Sequence, residues 1–337
     1  MRRILILALG VALALVAVPA GMNGAYQKKT AARSDAPTET ADETPETAPA
    51  DPAEETVAVF MPETDRTETL LMRDYIIGCV AAEMPAAYES AALTAQAAAS
   101  VTLARYMQRR NRGNAALKGG VIAADPASYQ GYLDEAALRA RWGEEYDLYY
   151  QKIAAAVDEA LPYAIENAEG PVLAAFHAVS SGLTESAETI WGDDLPYLTR
   201  VESAGDRLSP GYASEVTVSA EAFREGLSLS PGDAPPAEWL GESAYSPAGT
   251  LLRLSVCGKT TDGQALRAAF SLRSPGVRVR WTGEAFQLSV TGYGHGVGMS
   301  QYGADYYARQ GMTWREILAH YYPGTEVKRY EPSRSLA

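Results

Sequence analysis

The first long apolar run stands at the N-terminus. Residues 4–20 are apolar apart from Gly10 and Pro19, and they follow Met1-Arg2-Arg3. A short cationic start before such a run has the form of a signal peptide or a short single-span anchor, with the rest of the chain outside the cytoplasm. Its length is at the lower limit for spanning a bilayer. Val18-Pro19-Ala20 is a weak cleavage pattern, so an anchored and a secreted form are both open. Residues 21–56 then hold almost no large apolar side chain, and residues 34–56 hold no Lys or Arg. Such a stretch cannot bury enough surface to offset the entropy of ordering, and it is expected to be a disordered acidic linker.

Periodic patterning begins near Val57. Asp65 with Glu68 three residues on predicts a helix start, and Leu71, Tyr75, Cys79 and Ala82 follow at helical spacing. Pro85 disfavours helix at Met84, so this helix is expected to end at Glu83. An alanine-rich helix is predicted over Ser90 to Arg110, a loop over 113–131, and helix over Asp134 to Ala160 with a break at Gly143. Strand candidates are 172–176, 215–218, 251–256, 277–280 and 286–290. A short helix is expected from Ser219 to Leu227. Near the end, 300–310 reads as helix closed by Gly311, and Thr313-x-x-Glu316 as a capping box opening a helix to His320. Helices, then strands, then helices predict an α+β fold over residues 57–337, one large region with room for two lobes and a cleft.

Composition narrows the partners. A net charge of −13 opposes a nucleic-acid partner, which would need a basic face. Tyrosine, at 20 residues against 5 Phe, suits either a wet cleft or plain surface. Cys79 and Cys257 each lie among apolar residues, which favours buried free thiols; a disulfide is the alternative in an exported chain.

Three stretches carry candidate chemistry. In Gly292-Tyr-Gly294-His295-Gly296-Val-Gly298-Met-Ser300-Gln301-Tyr302 glycine alternates with other residues, a bed that lets backbone or ligand approach closely and is expected to present His295, Ser300 and Gln301. Glu83 falls at a predicted helix C-terminus, where the dipole disfavours a carboxylate by roughly 0.3–1 kcal/mol. Dipole, apolar neighbours and desolvation would raise its pKa, as a general acid requires. At an unperturbed pKa of about 4.3, protonation at pH 7 costs about 3.7 kcal/mol. An exposed glutamate at a frayed end is the plainer reading. In the third stretch, Phe176-His177 through Thr184-Glu185, Ser181 and Thr184 could bond a sugar or merely close a turn. No Gly-x-Ser-x-Gly elbow and no His-Glu-x-x-His is present, so neither a nucleophilic serine nor a metal centre is expected.

Taken together, Asp74-Tyr75 through Glu83-Met84-Pro85 with Ala95-Gln96-Ala97, Phe176-His177 through Trp191-Gly192 to Pro196-Tyr197-Leu198, and Gly294 through Ala304 resemble the stage II sporulation protein D family, also seen in amidase enhancers. The resemblance runs from about Val57 to the C-terminus. It implies a membrane-anchored lytic transglycosylase at the sporulation septum, acting on peptidoglycan glycan strands stripped of stem peptides. Glu83 matches the family's catalytic glutamate. His177, Ser181, Thr184, His295, Ser300, Gln301 and Tyr302 are then candidates for holding the glycan. A cell-wall amidase and a membrane scaffold of the engulfment machinery are the implied protein partners. No cofactor is implied. Two basic positions of the family pattern are Thr94 and Val101 here, and Arg105, on the face of Val101, is expected to reach into the cleft instead. The segment 124–132, where some members hold zinc, lacks Cys and His, so no zinc is expected. A glycan-binding amidase activator with weak or no catalysis is the alternative function, and a purely structural septal protein a third.

Overall fold

The structure is a computed structural model that describes residues 54–331; the apolar segment 4–20 and most of the acidic linker lie outside them. The chain opens with a hairpin, β1 (Thr56–Met61) and β2 (Arg66–Leu71), followed by helices α1 (Met72–Glu83) and α2 (Ser90–Arg110). A two-residue strand β3 (Ile122–Ala123) runs parallel to β1. Then come α3 (Glu135–Trp142), α4 (Tyr146–Ala160), β4 (Tyr163–Asn167), β5 (Gly170–Pro171), β6 (Phe176–His177) and α5 (Ala187–Trp191). The middle of the chain supplies β7 (Ala213–Ser219), α6 (Ala220–Gly226), β8 (Leu240–Tyr245), β9 (Leu251–Val256), β10 (Lys259–Thr261), α7 (Gly263–Phe270), β11 (Val277–Trp281) and β12 (Ala285–Thr291). The chain then returns through β13 (Met299–Ser300), α8 (Gln301–Arg309), α9 (Trp314–Tyr321) and β14 (Glu326–Arg329). This is an α+β fold with several small sheets.

Two separate apolar cores organise it. The larger surrounds α2, which is buried along most of its length and packs against α1, α4, α8, α9 and β4. Its alanines explain how so many elements can surround one helix: short side chains let neighbouring backbones approach. The second core is built from residues 218–290, with Phe223, Phe286 and Trp239 stacked between two antiparallel three-stranded sheets, β11-β12-β7 and β10-β9-β8.

The glycine stretch joins the return segment to the first core. Gly292, Gly294, Gly296 and Gly298 all have positive φ, between 74° and 101°. Because their Cβ positions are empty, residues 175–185 lie directly against them. A Cβ on Gly298 would sit 2.0 Å from the Ala175 carbonyl oxygen, and one on Gly294 2.8 Å from His177 Cβ. This contact lets β13 pair with β6, Met299 opposite Phe176 and Ser300 opposite His177.

Several expectations change. Residues 66–71 form a strand, not the start of a helix. Asp65 takes a left-handed φ of 55° and turns the hairpin, and Leu71 is 46% exposed instead of joining the apolar stripe. Of the run 172–176 only Phe176 enters a strand; the Leu173 amide donates to the Tyr197 hydroxyl, and the Ala175 amide turns back to the Leu173 carbonyl. Order reaches into the expected linker: Thr56 begins β1, and the Glu55 carbonyl accepts from the Met72 amide at 2.7 Å. Both cysteines are free, but only Cys79 is buried; Cys257 occupies the turn between β9 and β10 with φ 49°. Helices α2, α3, α4, α6, α8 and α9 fall where the pattern put them, and the Thr313–Glu316 capping box is formed.

Gly298 and Gly311 separate conformational cost from steric cost. Gly311 also has positive φ, 92°, but open space at its Cβ. Gly311→Ala is expected to cost about 1–2 kcal/mol, the left-handed penalty alone. Gly298→Ala should cost clearly more, because the β6–β13 contact must also open. Urea unfolding midpoints of the two variants check this; equal losses would refute the close-contact argument.

Candidate active site

Glu83 is the last residue of α1. Met84 is extended, with φ −125° and ψ 145°, as the following Pro85 demands. The last turn of α1 carries no basic residue of its own; Arg141 of α3 supplies one, donating from Nη1 to the Ala81 carbonyl at 2.9 Å. The carboxyl of Glu83 is bound on both oxygens. Oε1 accepts from the Gly131 amide at 2.6 Å, and Oε2 from Gln301 Nε2 at 3.4 Å, across 218 residues. Gly131 is glycine for a spatial reason, since a Cβ there would lie 3.1 Å from Glu83 Oε1 and from Ala82 Cβ.

The side chain of Glu83 is only partly exposed. Desolvation pushes its pKa above the usual glutamate value, and the bonds from Gly131 and Gln301 pull the other way. Burial, rather than a neighbouring negative charge, is the dominant cause. Gln301 is itself fixed from behind. It donates to Gln96 Oε1 at 3.4 Å, and Gln96 donates to Ser100 Oγ at 3.1 Å. Gln96 and Ser100 are fully buried in α2. Tyr88, in the link after α1, meets Tyr302 edge to face at 6.3 Å between ring centroids. Burial first, then the nearby carboxylates, pushes its phenol up to about 12.

Of the other expected glycan ligands, only Gln301 reaches Glu83. His295 is 5% exposed and not presented: its Nδ1 accepts from the Val297 amide at 3.0 Å, and its ring lies 5.2 Å from that of Trp191. His177 is 4% exposed, and its Nδ1 donates to the Val297 carbonyl at 3.1 Å. Burial lowers the pKa of His177 to about 4 and that of His295 to about 3, so both are neutral inside the fold. Ser300 caps α8: its Oγ accepts from the Gly303 amide and donates to Asp206 Oδ1 at 2.8 Å. Thr184 is wholly buried, bonded to Thr199 and Val201. Ser181 turns its hydroxyl to the Leu183 carbonyl and lines a small recess between the two cores, and Tyr302 donates to the Leu208 carbonyl. These segments are therefore mostly scaffold for Gln301.

Arg105 does not reach the cleft. Its guanidinium donates to Glu55 at 2.5 and 3.1 Å and to the carbonyls of Leu161 and Tyr163, and it lies 4.0 Å from the centre of the Tyr330 ring. Only 1% of the side chain is exposed. A cation this buried must be fully partnered, and its partners are Glu55 just before β1, the carbonyls of Leu161 and Tyr163 after α4, and the Tyr330 ring, so it ties the first described residues to the core. Thr94 and Val101 are buried as well, with 2% and 0% exposure, and bring no charge toward Glu83.

Asp206 was not singled out in the sequence. It is fully buried, accepting from the Ser180 amide at 2.7 Å and from Ser300 Oγ, with Ser203 alongside. It joins three segments that converge only in the fold, so no local pattern marks it. Gly131 and Gln96 are likewise tied to Glu83 only by tertiary contact. Among the described residues, no three of His, Cys, Asp or Glu are grouped to hold a metal ion. None of the described helices is long and apolar enough to cross a membrane.

Residues 62–165, which include Glu83, Gln96 and Gly131, match the family model described as Stage II sporulation protein. The chain is 33% identical over 272 residues to stage II sporulation protein D of Bacillus subtilis, covering 80% of this chain and 78% of that protein. It is 32% identical over 274 residues to the protein of that name from Bacillus amyloliquefaciens, with the same coverage. A shorter similarity, 39% over 71 residues, links it to the amidase enhancer of Bacillus subtilis, spanning 21% of this chain and 10% of that protein.

Two measurements probe this description. Arg105→Ala should destabilise the fold by about 3 kcal/mol, the low end for a broken buried pair, because Glu55 keeps 19% exposure and can rehydrate; an unchanged denaturation midpoint would contradict it. Because the folded pKa of Glu83 is raised, the folded state holds its proton more tightly than the unfolded chain does. Stability is then fully present below the ordinary glutamate pKa and declines as pH rises toward the folded value. Glu83→Gln should therefore be more stable than the parent at pH 7, with the advantage fading below about pH 4. A variant less stable at pH 7 would show that the charged carboxylate is welcome in the site.

Proposed function

Since the chain belongs to the stage II sporulation protein D family, we propose that it is a peptidoglycan lytic transglycosylase with Glu83 as its proton donor and acceptor. The observation that carries this reading is the carboxyl of Glu83: raised in pKa by burial, partly open to solvent, and held on one side only by a tight bond. Oε1 is committed to the Gly131 amide at 2.6 Å, whereas Oε2 has only the longer bond from Gln301. Oε2 is thus the oxygen free to carry a proton to the glycosidic oxygen between N-acetylmuramic acid and N-acetylglucosamine. As the bond breaks and positive character grows at C1, the muramic C6 hydroxyl attacks C1 in place of water. Its proton goes to the carboxylate that has just been emptied. One carboxyl serves both steps, so the pair of acids used in ordinary glycoside hydrolysis is not needed. The product carries a 1,6-anhydro end.

On this reading the protein works outside the cytoplasm in sporulation, at the septal membrane, held by residues 4–20. A cell-wall amidase would supply its substrate by removing stem peptides, and a membrane scaffold would localise it. A second reading is supported by Thr94 and Val101. Both are buried and uncharged where the family pattern is basic, and the 71-residue similarity is to an amidase enhancer. In that reading the cleft grips glycan and activates an amidase without cutting.

Full-length protein and its Glu83→Gln variant, incubated with peptide-free glycan strands, separate the two. Mass spectrometry should find anhydro-ended fragments with the parent, formed roughly 10²–10⁴-fold more slowly with the variant. Strands bound but uncut by both proteins would favour the amidase activator.

A further inference from the structure

The chain of amides behind Glu83 has no part in the chemistry just described, yet it is buried, continuous and directed at the carboxyl. We propose that Gln96 is a positioning residue: it fixes which face of the Gln301 amide is turned toward Glu83, and through Gln301 it keeps that carboxyl able to release its proton. The inference rests on Glu83 being the proton donor.

The argument begins with the ambiguity of an amide. A glutamine has a donor and an acceptor end of nearly equal size, so a half-turn of its terminal bond exchanges them. Facing Glu83, the two orientations have opposite effects. An N–H donated to the carboxyl favours the carboxylate, whereas a carbonyl accepting from it favours the acid. The carbonyl orientation would favour the protonated form of Glu83 and hold back release of its proton. The structure shows the donor orientation, and Gln96 accounts for it. Its Oε1 accepts from Gln301 Nε2, the same nitrogen that serves Glu83. Turning Gln301 over by itself would set its carbonyl against the carbonyl of Gln96, leaving two buried acceptors facing each other, so Gln96 makes that turn a concerted and costlier one. Gln96 is held in turn by its bond to Ser100 Oγ, one helical turn further along α2.

Among the described residues no charged group is placed to assume this role. On α1, Tyr75 and Cys79 face Glu83, but burial pushes both well above their ordinary values and they stay neutral. Arg141 of α3 is spent on the Ala81 carbonyl. The 131–133 loop offers the Gly131 amide and Tyr132, whose phenol is raised to about 12 by burial. At the N-terminal end of α2, Asp305 of α8 is taken up by the Glu89 amide and Arg309. The neutral pair Gln96 and Gln301 is what α2 and α8 present.

The test is the titration of Glu83 followed by carboxyl ¹³C NMR on the full chain, its signal assigned by loss in Glu83→Gln. Gln96→Met keeps the volume and removes both hydrogen-bonding ends. Its Glu83 midpoint should lie above that of the parent, as should that of Gln301→Met. The double variant should shift no further than Gln301→Met alone, because Gln96 acts only through Gln301. In glycan cleavage, Gln96→Met should lower kcat several-fold with KM unchanged, since Gln96 is out of reach of any substrate. Should Gln96→Met not fold, Ser100→Ala frees the Gln96 amide and should raise the midpoint in the same direction. A parent-like midpoint in the variant measured, or independent additive shifts in the double variant, would overturn the proposal. The titration needs no substrate. A chain that cuts no glycan would refute the lytic reading and leave this result standing, and a cutting chain with unshifted midpoints would do the reverse.

Discussion

The structure depends on one close approach of backbone to backbone. Residues 175–185 and 292–300 pass within a distance that no side chain on Gly298 would allow, with 2.0 Å from an added Cβ to the Ala175 oxygen. That contact sets the two-residue register of β6 and β13 and thereby the start of α8. Gln301 is the first residue of α8. Its arrival at Glu83, 218 residues earlier in the chain, follows from backbone packing rather than from any attraction between the two side chains.

Around this contact the polar groups divide into two kinds. Asp206, Ser180, Ser203, Ser300 and Thr184 are spent on one another and on backbone amides; they hold converging loops in a region where water is excluded and unpaired groups are costly. The two histidines belong with them. Both are neutral and bonded to the Val297 backbone, so they lock the glycine stretch onto its partner strand instead of facing a ligand. Glu83 is of the other kind. Its environment raises the cost of its charge without supplying a cation, and only neutral donors moderate that cost. A carboxyl in that position costs folding stability at neutral pH, where its charge is disfavoured.

No basic side chain is among the groups that shift the Glu83 carboxyl. Were a lysine or arginine near Glu83, Coulomb attraction would lower the carboxyl. Thr94 and Val101 instead pack into the core around α2. Arg105, the nearest basic residue on that face of the helix, is occupied in tying Glu55 and Tyr330 to the first core. The partners of the carboxyl are therefore polar and neutral, the Gly131 amide and the Gln301 side chain.

Local pattern determined a good part of this protein. Helix ends follow from single residues with single mechanisms: Pro85 ends α1 at Glu83, Gly143 divides α3 from α4, and Thr313 with Glu316 opens α9. The place of Glu83 at a helix end, against the dipole, was legible as a local conflict, and the alternating glycines announced a close backbone approach, though not that His295 would turn inward. The fate of residues on the second and third motifs was not legible. His295, Ser300 and Thr184 look alike in sequence whether they face a ligand or the interior, and only the packing of 175–185 against 292–300 turned them inward. The same holds for Arg105, whose partners lie 50 to 58 residues away, and for the hairpin at 56–71, where cross-strand pairing overrode a plausible helix start. Helical periodicity and caps act over a few residues and are written in the chain. Burial, and with it the pKa of every group in the site, is a property of which distant segments meet, and that was decided only by the tertiary structure.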